Sequence, residues 1–128
     1  MRRALTAVVL VHLLVSVVHG TAHSGAGVEL GPSGSLFVYI VILAGPLVGL
    51  ILSIRTPRLG AWIVALTMSG SFVFGVVNHF IIDGTDHVTH VAAAWRTSFT
   101  VTAALLAAFE AAGAAIGVRE ATRERRAS

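Results

Sequence analysis

Four long stretches of this chain, at about 4–20, 36–54, 59–82 and 95–118, are almost free of charge, with only Arg96 and Glu110 inside them. A soluble domain of this size needs charged surface all round, whereas about 20 apolar residues are what one helix needs to cross a bilayer. The wider composition agrees, with 55% hydrophobic residues, 12% charged residues and a mean hydropathy of +0.86. The expected fold is all-α: a polytopic membrane protein, a four-transmembrane-helix bundle in which residues 1–128 form one domain and the lipid bilayer is the main partner.

Punctuation between the stretches supports this reading. Arg2-Arg3 precede the first, and small residues follow it from Gly20 to Ala26, so a cleaved secretory signal is the alternative to a first span. His12 inside the apolar run favours the span. Gly20 to Ser35 is rich in Gly and Ser and reads as a loop. Gly45-Pro46 falls mid-span and predicts a kink with a freed backbone carbonyl. Arg55-Thr56-Pro57-Arg58 is a basic turn, and Arg119 to Ser128 reads as a frayed, solvated helix end.

All nine basic residues are arginines, and they sit at the ends of the stretches. That placement speaks of topology and against nucleic-acid binding, which would gather them into one stripe. Arg2, Arg3, Arg55, Arg58, Arg119, Arg123, Arg125 and Arg126 fall on one side of the expected bundle and Arg96 alone on the other. By the positive-inside rule both termini are cytoplasmic, and the stretches Gly20–Ser35 and Asp83–Ala93 face outward. Trp62, Trp95 and Tyr39 then fall at the membrane interfaces, where aromatic residues belong. The Ala- and Val-rich, lysine-free composition points to a GC-rich genome and so to a prokaryotic cytoplasmic membrane. Small residues on the fourth span, from Ala103 to Gly117, predict close helix packing. A bundle this small has limited interior, so a homo-oligomer or a larger membrane complex is the further expectation.

The absence of cysteine removes thiolate ligands and leaves imidazole, carboxylate and backbone oxygen for any metal. His12, His19 and His23 lie within roughly 20° of one direction on the first helix. His79, Asp83, Asp86 and His90 fall within roughly 60° of one another if the third helix persists past Gly84, with His87 slightly off that face. The topology gathers His19, His23, His79, Asp83, Asp86, His87 and His90 at the outer ends of two helices. They form a candidate site for copper or iron ahead of zinc, serving redox or oxygen chemistry.

Asp83-x3-His87 and Asp86-x3-His90 resemble the Asp-x3-His ligand pairs of copper membrane monooxygenases, which also lie toward the outer face. The resemblance covers these residues alone. The adjacent His-His pairs of membrane desaturases and hydroxylases do not occur. Haem b, clamped by His19 or His12 facing His79, is an alternative. Metal uptake and a bundle without a cofactor are others. Glu110 and His12 both fall about 12 Å from the cytoplasmic end and so can meet, as a buried pair or a proton path. Asn78 and Arg96 are candidate supporting groups, with Arg96 expected to pair with Asp83 or Asp86. No catalytic residue is assignable from the sequence, and whether the chain is an enzyme stays open.

Overall fold

A computed structural model describes residues 2–123, which are helical apart from short connections and contain no strand. The charged tail beyond Arg123, including Arg125 and Arg126, lies outside the described residues. Four helical spans are long and apolar enough to cross a membrane: Arg3–Ala26, Pro32–Leu52, Pro57–Ile81 and Ala93–Thr122.

Helix α1 covers Arg2–Ala26, six residues beyond the Gly20 boundary expected from sequence. Glycine inside a helix costs only about 1 kcal/mol against alanine. The real stop is Gly27, whose φ of 67° places it in the left-handed conformation that closes helices. Val28 N–H then donates to the His23 carbonyl at 3.0 Å, so the last turn, with His23 on it, is held helical.

The second span starts at Pro32, a residue suited to the first helical turn because its missing N–H has no intrahelical role there. It comprises α2 (Pro32–Phe37), a π-helical segment (Val38–Ala44) and α3 (Gly45–Leu52). Pro46 explains the middle segment. Its ring conflicts with the preceding turn, and the backbone widens so that Gly45 N–H reaches Ile40 five residues back. Helix α4 (Pro57–Val76) ends in a second π turn, Val77–Ile81, and α5 spans Ala93–Thr122.

Neighbouring helices run antiparallel. Along α1 and α5, His12 meets Glu110 and His19 meets Thr102. Both ends of the described chain therefore lie at one end of the bundle. Glycine sets the spacing between helices. A Cβ at Gly60 would run into the Gly49 carbonyl and the Ser53 backbone, and one at Gly117 would stand 2.8 Å from Ala65 N. At the other end, a Cβ at Gly25 would collide with the Trp95 ring. Backbones this close gain packing that lipid does not offer.

The interior is layered. Leu5, Val8, Val9, Val64 and Met68 fill the end near the termini, and Ala22, Val91 and Phe99 fill the opposite end. Between them lie the buried polar groups His12, His19, Ser71, His79, Thr102 and Glu110. Leu14, Leu66, Val73 and Val101 point outward, each more than half exposed, as lipid-facing side chains do.

Substitutions at the glycines test this packing. Gly60→Val and Gly117→Val should each lower the thermal unfolding midpoint in detergent, at the roughly 1–3 kcal/mol cost of overpacking. Gly20→Ala, whose Cβ would meet nothing within 4 Å, should be neutral or stabilising by about 0.5 kcal/mol. Equal melting of all three variants would contradict the role given to these contacts.

Candidate metal centre

Three imidazoles converge where α1, α4 and α5 meet. One ring nitrogen from each of His19, His23 and His79 lies within 4.8 Å of the other two. His19 and His23 stand one turn apart on α1. His79 reaches them from the π turn at the end of α4, where Ile82 N–H bonds back to the Val77 carbonyl at 2.8 Å. Such turns interrupt the helical ladder and often occur at functional sites. Phe99, fully buried on α5, is the common wall, with ring centroids 4.7 Å from both His19 and His23 and 5.1 Å from His79.

Hydrogen bonds determine which nitrogen of each ring is free. Thr102 has one hydroxyl proton and donates it to the Ser98 carbonyl at 2.6 Å, so toward His19 it accepts. His19 Nδ1, 2.8 Å from that oxygen, is therefore the N–H, and its Nε2 carries the lone pair. His79 Nδ1 faces only acceptors, the Asp86 carbonyl at 3.1 Å and Asp86 Oδ2 at 3.4 Å. It too carries the proton, leaving Nε2 bare. These two bare nitrogens stand 3.2 Å apart. Two neutral imidazoles so arranged cannot bond to each other; a proton on one of them or a metal ion shared by both resolves the conflict.

For metal–nitrogen bonds of about 2.0–2.1 Å, tetrahedral ligands stand about 3.3 Å apart, close to the spacing of the His19 and His79 nitrogens, while the full triad spans up to 4.8 Å. His23 turns Nε2 to Asp86 Oδ1 at 3.4 Å, and its Nδ1 is buried without a hydrogen-bond partner. Asp86 thus touches two of the three rings.

The connection 82–92 delivers that carboxylate. The third helix does not persist past Gly84, as the shared face for His79, Asp83, Asp86 and His90 required; it ends at Ile81 and the chain doubles back. Val88 N–H bonds to the His79 carbonyl at 3.0 Å, and Val91 is buried against Ala22 and Phe99. Arg96 does not pair with Asp83 or Asp86. It donates to the Val91 carbonyl from Nε and Nη2 at 3.2 and 3.1 Å, clamping the end of the loop.

Asp83, His87 and His90 fall outside the cluster. His90 Nε2 pairs with the exposed Asp83 at 3.0 Å, while half-buried His87 bonds to Thr89 at 2.8 Å. Neither Asp-x3-His pair brings its own two side chains together in the structure. Asn78 bonds to the Phe74 carbonyl of its own helix and touches none of the three rings. His12 and Glu110 meet at 3.3 Å, both buried, one layer below the histidines. Phe99 and Thr102 were not singled out by sequence reasoning. Thr102 is one of several hydroxyl residues at the start of α5, and only the α1–α5 register distinguishes it.

Asp86 lies in the connection, outside the spans. Burial alone raises a carboxyl pKa, but the imidazoles around it, His79 at 3.4 Å first and then His23 and His19, outweigh it once they are protonated at acid pH, and the value is lowered from 3.8.

Comparison with protein-family models, curated proteins and solved structures finds no match. The fold and site therefore define the class by themselves: a four-span helical bundle, apolar enough for a membrane, with a buried histidine triad able to hold a metal ion.

A lowered folded pKa means that Asp86 stabilises the fold above its unfolded pKa and that this contribution is lost as pH falls through the folded value. Asp86→Asn should accordingly melt below the parent at neutral pH, with the gap closing once the pH drops below 3.8. Thermal melts across the pH range check this; a gap independent of pH would contradict it.

Proposed function

We propose that this chain is an integral membrane metalloprotein that binds one transition-metal ion through His19, His23 and His79. Copper is the favoured ion, and redox or oxygen chemistry the favoured use, alone or as an accessory subunit of a larger membrane complex. The observation that carries this reading is the 3.2 Å approach of two lone-pair nitrogens, His19 Nε2 and His79 Nε2, each oriented by a bond at its far side.

The ligand chemistry favours copper, which binds imidazole sites most tightly among the divalent first-row ions. Iron in a two-imidazole, one-carboxylate site would require Asp86 to leave His79 and turn toward the ion. As placed, the Asp86 backbone carbonyl and the Thr102 hydroxyl hold the Nδ1 protons, the supporting role that fixes a ligand ring and raises its basicity, with the Asp86 carboxylate 3.4 Å from His79. Three protein ligands leave a coordination position for an outside molecule, the hallmark of reactive rather than structural sites. The same histidines line a cavity beside the triad.

The rival readings fit less well. Two axial imidazoles with bonds of about 2.0 Å on opposite faces of a haem stand about 4 Å apart. His19 and His79 are closer, with edge-to-face rings 5.0 Å apart, and leave no slab for a macrocycle. His12, the other haem candidate, is engaged by Glu110. Metal transport needs a polar path inward, but below Glu110 the interior is packed with Leu5, Val9, Val64 and Met68. The arginine distribution supports an orientation with the triad toward the outer face, and the lysine-free, Ala- and Val-rich composition favours a prokaryotic cytoplasmic membrane.

Elemental analysis of protein purified without added metal, followed by titration of metal-free protein with copper, tests the reading. About one ion per chain is expected. His79→Ala should abolish tight binding, His87→Ala and His90→Ala should leave it intact, and Asp86→Asn, which keeps the backbone acceptor of His79 but removes the nearby negative charge, should weaken it about 10-fold. Binding that survives His79→Ala, or that fails in the unaltered protein, would overturn the assignment.

A further inference from the structure

The cavity beside the triad extends well past it. Its volume of ≈ 430 Å³ falls within the roughly 300–1,000 Å³ typical of small-molecule sites. It runs from His19, His79 and Asp86 at one end to Glu110 at the other, and its long walls are largely apolar, with Leu43, Phe74 and Leu106 among them. Gly75 keeps the two ends connected. A Cβ there would stand 3.8 Å from Glu110 Oε2 and 4.0 Å from His79 Cδ2, so any larger side chain would fill the passage.

One side of the cavity faces lipid. Helix α1 makes its main backbone approach to the second span along α3, and the two helices are less closely packed beside α2 and the π-helical segment. Val17 and Tyr39, 64% and 67% exposed, border this gap and also line the cavity. Val17 lies about 21 Å along α1 from Arg3, within a hydrocarbon core about 30 Å thick. A molecule using this gap must dissolve in the bilayer.

Glu110 supplies the polar anchor. It is 3% exposed and lines the cavity. Oε1 is bonded to His12, and Oε2 makes no hydrogen bond among the described residues and keeps some accessible surface, which opens onto the cavity. A carboxyl oxygen that faces a largely apolar cavity has few partners there, and a ligand hydroxyl donating to it would supply one.

We propose that the cavity binds a lipid-soluble alcohol or phenol taken laterally from the bilayer, its hydroxyl donating to Glu110 Oε2 and its hydrocarbon body lying along the apolar walls beneath the triad. As a statement of substrate class this rests on the metal reading; as a statement of binding it does not. The two are separated by measuring ligand binding on metal-free protein.

The test uses the full chain in lipid nanodiscs, stripped of metal, with a long-chain alcohol carrying a photoreactive diazirine and the matching diazirine alkane as control. Cross-linked residues are located by mass spectrometry. The alcohol should label the cavity segments around Phe74–Gly75 and Leu106–Ala107 roughly fivefold more than the alkane does, the ratio expected for one net hydrogen bond. Both probes should label the lipid-facing residues Leu66 and Val101 equally. Ala107→Phe, which fills the cavity, should abolish cavity labelling; Gly20→Leu at the gap serves the same purpose if that variant does not fold. Replacing the pair together, His12→Leu with Glu110→Leu, leaves neither polar group unpaired and should erase the preference for the alcohol while retaining the fold. Equal cavity labelling by both probes, no cavity labelling by either, or labelling indifferent to the filling variants would overturn the proposal.

Discussion

Two nitrogen lone pairs pointed at one another across 3.2 Å are the constraint on which the candidate site depends. Each ring is held by an acceptor at its far nitrogen, Thr102 for His19 and Asp86 for His79, so neither can turn over its tautomer without breaking a bond in a buried setting. Bonds of this kind are expensive to lose where no water can replace them. The bundle thus holds two electron-rich atoms at about the distance a tetrahedral ion requires. His23, one turn above His19, brings a third imidazole to the same place.

The surrounding fold makes this arrangement possible by keeping polar groups away from lipid. The spans expose large apolar side chains outward, while His12, His19, His79, Thr102 and Glu110 all face inward. Polar groups at membrane depth are tolerated when they meet partners or a cavity, and here they do both. Close glycine contacts hold α3 on α4 and α4 on α5, whereas α1 is packed less closely on the upper half of the second span than on α3. Pro46, at the start of α3, lies where the looser part of that contact begins, so the residue that disturbs the second span also marks the change in its packing on α1.

The four spans were legible because hydropathy over about 20 residues is a strong signal and lipid permits few alternatives to helices. The bounds of the first span were not, since Gly20 resembles a helix end and only the cap at Gly27 reveals the true one. Among the site residues, His19 and His23 share a helical face in sequence and in structure. The loop is a different matter. Spacing alone gave Asp83 and Asp86 equal standing, but the chain reversal after Ile81 sends Asp86 to the rings and Asp83 to solvent beside His90. That reversal rests on non-local contacts, Val88 with His79 and Val91 with Ala22 and Phe99, which no local pattern announces. Thr102 and Phe99 were hidden for the same reason, each being an ordinary residue until α5 is set against α1.

The most direct measurement is ¹⁵N NMR of histidine-labelled protein titrated with copper(I), which is diamagnetic and leaves the imidazole signals visible. Nε2 of His19 and of His79 should both shift on binding while their Nδ1 protons are retained, held by the Thr102 hydroxyl and the Asp86 carbonyl. Coordination through Nδ1 of either residue, or copper binding that leaves both Nε2 signals unmoved, would contradict this assignment.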